Sequence, residues 1–438
     1  MYERLITMRK VLLLLALLLL PFLARAEGLT LTPTETGFAY DFTLEDEWVR
    51  LHYKGPSEKG IKTLYAPGGH FTGEMETRCG EGGKYTVTIE TLALKNVLKD
   101  TVKLPAKAGY TPPTGKSNAA VKELQLEETT TGFRYSFLAP GTDFMMLYFR
   151  TLQEEACIPV YPVNAEGLYE GEIVSDLTYA RTLFKVQIRN AKGNLKKAAD
   201  VRKAYEAPPA PEKQEGRLSG VVVCIDPGHQ ENHEPFKEGK GPGLSGTVVN
   251  TGGMAQGRKT LRMESIVVLE TGMRLRDMLI REGATVVMTR EKQTDFRTNL
   301  DRCNIAEEAG AHILLRLHCN ITSNNRTTGI QIYGPRNSDY AKAVAAPEKY
   351  RALGQAFLDE MKKATGFELI SKTGNVALND NYVGNNWAKM VCFLVEMGYM
   401  SNMGEDIKLA TPEYQTQLAQ GMVEGVYQVA LMRGWIEK

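Results

Sequence analysis

Four side chains in this sequence have the right types for hydrolytic metal chemistry, and each stands near the start or end of a regular element. His229 follows the apolar run "VVVCID" in the stretch "CIDPGHQ". Glu264 opens the amphipathic segment "MESIVVLETGMRLRDMLIREG". His318 closes "HILLRLH", and Glu396 closes "MVCFLVE". Two neutral imidazoles and one carboxylate suit a zinc ion, because they leave it net positive with one position open to water. A second carboxylate that is not a ligand can take the proton of that water and hand it to a leaving amine, and Glu396 suits this role. Taken singly, each residue also has an ordinary reading. His229 could be a turn residue after Asp-Pro-Gly, Glu264 a favourable charge at a helix N-terminus, His318 a core histidine and Glu396 a strand-end acid. Spacing alone does not choose. His233 and His312 are rival ligands, one inside a Gly-rich stretch and the other at the beginning of its strand; His52 and His70 lie in an earlier region.

These groups can meet only if the elements carrying them share one rim. From residue 221 onward the pattern alternates apolar strands with helices. Strands are expected at 221–226, 284–290, 312–318, 329–334 and 390–396, and helices at 263–283, 298–311, 347–366 and 412–434. That alternation predicts an α/β domain with a mostly parallel sheet. Open sheets of this kind bind ligands at the carboxyl ends of their strands. Residues 230–260 are polar and Gly-rich, and read as a long loop crossing the site.

The motifs of residues 219–437 resemble, in order, the zinc-dependent N-acetylmuramoyl-L-alanine amidases of bacterial cell walls, of amidase 3 type. "CIDPGHQ" is similar to the family's strand-then-histidine opening. "RMESIVVLETGMRLRDMLIREGATVVMTR" is similar to its Glu-bearing helix and following strand, "NLDRCNIAEEAGAHILLRLHCN" to its L-x-x-R helix and H-x-N strand, and "FLVEMGYMSN" to its close. The resemblance implies zinc held by His229, Glu264 and His318, with Glu396 as the catalytic acid/base. It implies hydrolysis of the amide between the muramic acid lactyl group and L-alanine of the stem peptide. Two departures stand away from the four key groups: no proline precedes the last strand in "WAKMVCFLVE", and "EEAGA" replaces the family's A-N, with Asn304 displaced. Two other functions fit a similar residue set, a zinc carboxypeptidase or endopeptidase acting on stem peptides and a catalytically inactive wall-binding protein.

The first half has a different grammar. Short runs rich in aromatic and β-branched residues alternate with turn clusters, and a repeat is visible: "TETGFAYDF" (34–42) returns as "TTTGFRYSF" (129–137), and "GEMET" (73–77) as "GEIVS" (171–175). Two tandem β-sandwich units of immunoglobulin-like type are expected at 27–105 and 120–205. They could engage wall polymer or a protein partner. "EAPPAPEKQEGR" (206–217) reads as a Pro-rich, extended spacer before a catalytic domain at 218–438. Residues 1–26 read as an export signal cleaved after Ala26. They have a basic start, an apolar run of about 13 residues, against the ~20 a membrane span needs, and small residues at Ala24 and Ala26. The expected site of action is the periplasm, cell wall or exterior. Lys+Arg (53) and Asp+Glu (52) nearly balance, so no strong field points to a nucleic-acid partner. None of the six cysteines forms a C-x-x-C pair, which argues against a cysteine zinc site and for buried free thiols.

Overall fold

The structure is a computed structural model. It describes residues 27–437 apart from 109, 111, 130–131, 151–153, 175–182, 203–207, 232–234, 251 and 368–374. The export signal expected at 1–26 and the rival ligand His233 lie outside the described residues. The chain gathers into two compact units, one formed by residues up to 117 with 143–147 and 155–161, the other by the remainder.

The repeat in the sequence is a repeat of strands. In the first copy β1 (Glu27–Pro33), β2 (Gly37–Thr43), β3 (Trp48–Lys54), β4 (Lys59–Tyr65), β5 (His70–Glu76), β6 (Gly83–Thr91) and β7 (Asn96–Leu104) follow one another. In the second come β8 (Lys122–Thr129), β9 (Gly132–Leu138), β10 (Met145–Arg150), β11 (Glu154–Val160), β12 (Leu168–Val174), β13 (Leu183–Arg189) and β14 (Leu195–Arg202). β2 runs antiparallel between β1 and β5, and β9 runs antiparallel between β8 and β12. The repeated glycines explain themselves here. A Cβ on Gly73 would meet the Tyr40 hydroxyl at 2.7 Å, and one on Gly171 would meet the Tyr135 hydroxyl at 2.6 Å. Phe42 stacks on Phe71 at 4.9 Å, and at the matching positions Phe137 stacks on Tyr169 at 4.6 Å.

The second half contains β15 (Val222–Pro227), β16 (Phe236–Gly239), β17 (Thr247–Asn250), α1 (Glu264–Arg281), β18 (Thr285–Met288), α2 (Asn299–Glu308), β19 (Ile313–Asn320), β20 (Gln331–Gly334), α3 (Asp339–Val344), α4 (Pro347–Thr365), β21 (Val376–Leu378), α5 (Val383–Trp387), β22 (Val391–Tyr399), α6 (Met403–Leu409) and α7 (Pro412–Arg433). The helix ends follow local chemistry. α7 starts on the Thr411 cap with Pro412 behind it and stops at Gly434, whose φ of 68° only glycine adopts freely.

A six-stranded sheet has the order β18-β15-β19-β22-β20-β21. Its pairs are parallel except β20 against β22, so the mostly parallel sheet expected from the alternation is what forms. β15 and β22 are apolar and almost wholly buried, as strands covered on both faces must be. Successive side chains alternate between faces. Ile225 and Leu317 meet α1, on which α7 packs in turn. Cys224, Leu314 and Cys392 face the other way and form one core cluster with Cys303 and Ala306 of α2.

One segment differs from the sequence expectation. The stretch 230–260 is not a plain loop: β16 and β17 form an antiparallel hairpin inside it. The hairpin is tied down by bonds from distant segments. The Glu238 carboxylate accepts from Asn299 Nδ2 at 2.7 Å and from the Leu300 N–H at 3.2 Å, and the Trp387 indole N–H donates to the Gly239 carbonyl at 2.8 Å. The end of the Pro-rich segment lies against helices, with Arg217 pairing with Glu282 and Glu424.

Candidate metal centre

The site grows from the turn after β15. Asp-Pro-Gly ends the strand, and His229 then adopts a φ of 58°, a left-handed conformation that costs a non-glycine residue energy. Buried arginines hold it. Arg290 donates to the Pro227 carbonyl at 2.8 Å and the Gly228 carbonyl at 2.9 Å, and Arg302 donates to the Pro227 carbonyl at 2.8 Å and the His229 carbonyl at 3.3 Å. Asp226, fully buried, accepts from the Thr289 hydroxyl at 2.7 Å, from Arg302, and from Arg316 Nε at 2.9 Å. Burial alone would raise the Asp226 carboxyl, but the Arg302 and Arg316 guanidiniums outweigh it and hold the carboxyl well below the usual range.

Three of the four residues singled out from the sequence converge. His229, Glu264 and His318 bring ligand atoms within 4.8 Å of one another. Glu264 Oε2 is 3.2 Å from His229 Nε2, and Glu264 Oε1 is 3.1 Å from His318 Nδ1. Each carboxylate oxygen also receives a backbone N–H, from Ala255 at 2.8 Å and from Cys319 at 2.9 Å. The two imidazole rings meet edge to face at 4.9 Å. Gly228 makes this approach possible, because a Cβ there would fall 2.3 Å from His318 Cε1.

Charge and burial fit the site for a cation. His318 Nε2 is buried without a hydrogen-bond partner, an orphaned lone pair or N–H that a protein interior rarely leaves unused. Burial pushes the His318 imidazole down to about 4, despite the opposing pull of Glu264, so it is neutral at pH 7 as a metal ligand must be. Glu264 is held below the carboxylate range: burial raises it, and the adjacent His229 and His318 more than offset that. Two imidazoles and an anionic oxygen are the donor set of a hydrolytic zinc site.

Glu396 lies in the middle of β22, three residues before its end, and pairs in register with His318 on β19. Its Oε2 is buried and unpartnered. Burial, and after it the negative charge of Glu264, raise its carboxyl well above the ordinary range. Gln331 is its register partner on the other side, and Gln331 Oε1 accepts from the Tyr333 hydroxyl at 2.8 Å and the Tyr399 hydroxyl at 2.9 Å.

The other histidines stand apart. His312 Nδ1 accepts from the Val222 N–H at 3.0 Å, at the opposite end of β19 from His318, and its ring lies 5.1 Å from Trp435. His52 pairs with Glu90, and His70 with Asp41. The sequence reading did not single out Asp226, Arg290, Arg302 or Arg316. Asp226 and Arg302 lie inside "CIDPGH" and "NLDRC", but nothing local marks a charged residue as buried.

Residues 223–428 match the family model described as N-acetylmuramoyl-L-alanine amidase. The chain is 26% identical over 230 residues to a germination-specific N-acetylmuramoyl-L-alanine amidase of Bacillus subtilis, covering 50% of this chain and 83% of that one. It is 24% identical over 214 residues to the probable cell wall amidase LytH of Staphylococcus aureus, covering 49% of this chain and 60% of that one, so it spans less than two thirds of this second relative. Among solved structures it is similar to an N-acetylmuramoyl-L-alanine amidase of Clostridium difficile 630 (24% identity, TM-score 0.38, 48% of this chain and 96% of that one). It is also similar to Ami1 of Mycobacterium smegmatis (18% identity, TM-score 0.44, 49% of this chain and 98% of that one).

Proposed function

We propose, from the match of residues 223–428 to the N-acetylmuramoyl-L-alanine amidase family of amidase 3 type, that the protein is a zinc-dependent peptidoglycan hydrolase. It cleaves the amide between the lactyl group of muramic acid and L-alanine of the stem peptide. The observation that carries the reading is the convergence of His229, Glu264 and His318, whose ligand atoms lie within 4.8 Å of one another. These three residues hold the metal, and Glu396 is the proton-transferring group.

Zinc, when bound, supplies Lewis acidity toward the amide carbonyl and toward water. The chain's own residues do the rest. Glu264, fixed by two backbone N–H groups, balances the charge of the centre and orients both imidazoles. The arginine-held turn keeps His229 in its costly conformation, so no reorganisation is needed during turnover. Glu396 takes a proton from the attacking water as the new C–O bond forms. It gives that proton to the L-alanine nitrogen as the C–N bond breaks. Its raised carboxyl favours holding the proton between the two transfers.

The finer assignments rest on sequence and on this reading together. The two β-rich repeats are immunoglobulin-like sandwiches at 27–105 and 120–205 that engage wall polymer or a protein partner. The catalytic domain begins near Leu218. Residues 1–26 are an export signal, and the enzyme works in the periplasm or wall. One relative is named a probable cell wall amidase, and no described helix is long and apolar enough to cross a membrane. The test is digestion of purified peptidoglycan with the full chain, with the new ends identified by mass spectrometry. Free L-alanine amino termini, with lactyl carboxylates left on the glycan, are expected. They disappear with a chelator and return with zinc. Cleavage within the stem peptide would replace this reading with that of an endopeptidase or carboxypeptidase.

A further inference from the structure

The metal centre opens on one side into a cationic pocket. Arg297, Arg302, Arg316, Gln230, Asn250 and Asn299 line it together with His229 and His318. The roles of its three arginines differ. Arg302 and Arg316 are nearly fully buried and pair with Asp226 and neutral acceptors, so they contribute field more than contact. Arg297 is half-buried. Among the described residues no carboxylate lies against it, and its guanidinium donates to the carbonyl of neighbouring Phe296 at 2.7 Å. Its segment is anchored: Phe236 of the hairpin packs edge to face on Phe296 at 5.8 Å, and Gln230 Nε2 donates to the Arg297 carbonyl at 3.4 Å. A guanidinium with free donors at the edge of a metal centre, backed by two more buried cations, is a site for a carboxylate.

The sheet gives this pocket a direction. Across the rim the order is β15, β19, β22, β20. The arginine pocket adjoins His229 after β15. On the far side of Glu396 stand Gln331, Tyr333 and Tyr399, whose amide and phenol groups carry no charge at neutral pH. A muramoyl peptide is equally asymmetric. Once the lactyl acid is in amide linkage, its sugar is uncharged, and every carboxylate lies on the peptide side. The nearest belongs to the γ-linked D-glutamate that follows L-alanine.

We propose that Arg297 binds the free α-carboxylate of the second stem-peptide residue, making this enzyme selective for stems that carry an acid there over stems in which it is amidated. The proposal rests on the amidase reading and adds a specificity residue to it.

The test compares two soluble muramoyl tripeptides that differ only at this group, one with D-isoglutamate and one with D-isoglutamine. Both are cleaved by the zinc-loaded full chain, and kcat and KM are measured separately. The wild-type chain should prefer the carboxylate peptide by roughly 10-fold in kcat/KM, the typical effect of a partly solvated charge-assisted contact. Most of the preference should lie in KM. Arg297→Gln should bring the ratio near one with its helical circular dichroism unchanged, and Arg297→Lys should restore part of it. A merely structural role for Arg297 would lower both rates and leave the ratio intact, which overturns the proposal. So does a wild-type chain that cleaves both peptides equally. Cleavage of neither peptide by a zinc-loaded wild-type chain would strike the amidase reading itself, and the proposal with it.

Discussion

Replacing Asp226 by Asn removes one negative charge and little volume from a place where both matter. The carboxylate is fully buried and is the acidic partner of both Arg302 and Arg316. The remaining acceptors of these arginines are neutral: backbone carbonyls and Gln230 for Arg302, Asn299 and Asn385 for Arg316. The substitution therefore strands two guanidiniums in the interior. Removing one partner of a buried ion pair costs about 3–5 kcal/mol. For a domain of about 220 residues, each kcal/mol moves the midpoint by about 2–4 °C, so the melting temperature should fall by roughly 6–20 °C. The α-helices among the described residues all lie after residue 263, so the helical circular dichroism signal of the full chain follows this half. Thr289→Val, which removes one hydroxyl donor to the same carboxylate, should cost only about 1 kcal/mol. pH supplies an independent check. The Asp226 carboxyl is depressed in the folded state, so its stabilisation is complete above the unfolded pKa of about 3.9 and is lost as pH falls below it. The gap between wild type and Asp226→Asn should therefore be full at about pH 5 and shrink below about pH 4. A drop under about 2 °C, or a gap that does not change with pH, would refute the claim that this carboxylate neutralises the arginine clamp.

Other outcomes follow from the same geometry. Glu396→Gln should retain zinc and lose about 10²–10⁴-fold in kcat, because an amide cannot accept the water's proton; Glu264→Gln should lose zinc first, and metal content measured on both variants in one buffer tells the roles apart. Gly228→Ala should keep the fold but displace His318, whose ring lies 2.3 Å from the added carbon, and competition with a chromogenic chelator should show weaker zinc binding; unchanged affinity would mean that the ring is not held where its chemistry needs it. Glu238→Ala should free the hairpin from α2, and trypsin should then cut at Lys237 or Lys240 faster than in wild type.

How much of this was legible depends on how local the cause is. The long helices announce themselves through period, caps and closing glycines, as α4 does between Pro347 and Gly366. The buried strands are continuous apolar runs. His229, Glu264 and His318 were singled out near element boundaries, which share a rim in this architecture, and the motif resemblance joined them into a set; in the structure their ligand atoms come together, with His318 two residues before the end of β19. Glu396 was read as ending its strand, yet β22 continues to Tyr399, since the residues after it are apolar enough to extend the pairing. The β16–β17 hairpin was not legible. Its strands are four residues each, and what holds it is Glu238 on α2 and Trp387 on Gly239, contacts made across long stretches of chain. The arginine clamp was invisible for a related reason. Arg290, Arg302 and Arg316 look like surface charges until the fold supplies Asp226 and a row of turn carbonyls.

The three thiols beneath the sheet rim carry a consequence for how the enzyme is made. Cys224, Cys303 and Cys392 come from distant parts of the chain and meet in one core cluster. Burial raises all three thiols, Cys303 to about 12, so in the finished protein they neither ionise nor meet an oxidant. Before the sheet closes, none has that protection. A disulfide formed early between any of them and an exposed partner would fix a chain segment away from the rim where its strand or helix belongs. If the chain is exported into an oxidising compartment, as proposed above, sheet assembly and thiol oxidation run in competition. The yield of active enzyme is set by which finishes first, and a reductant present during refolding, but removed afterward, raises it without altering the native molecule.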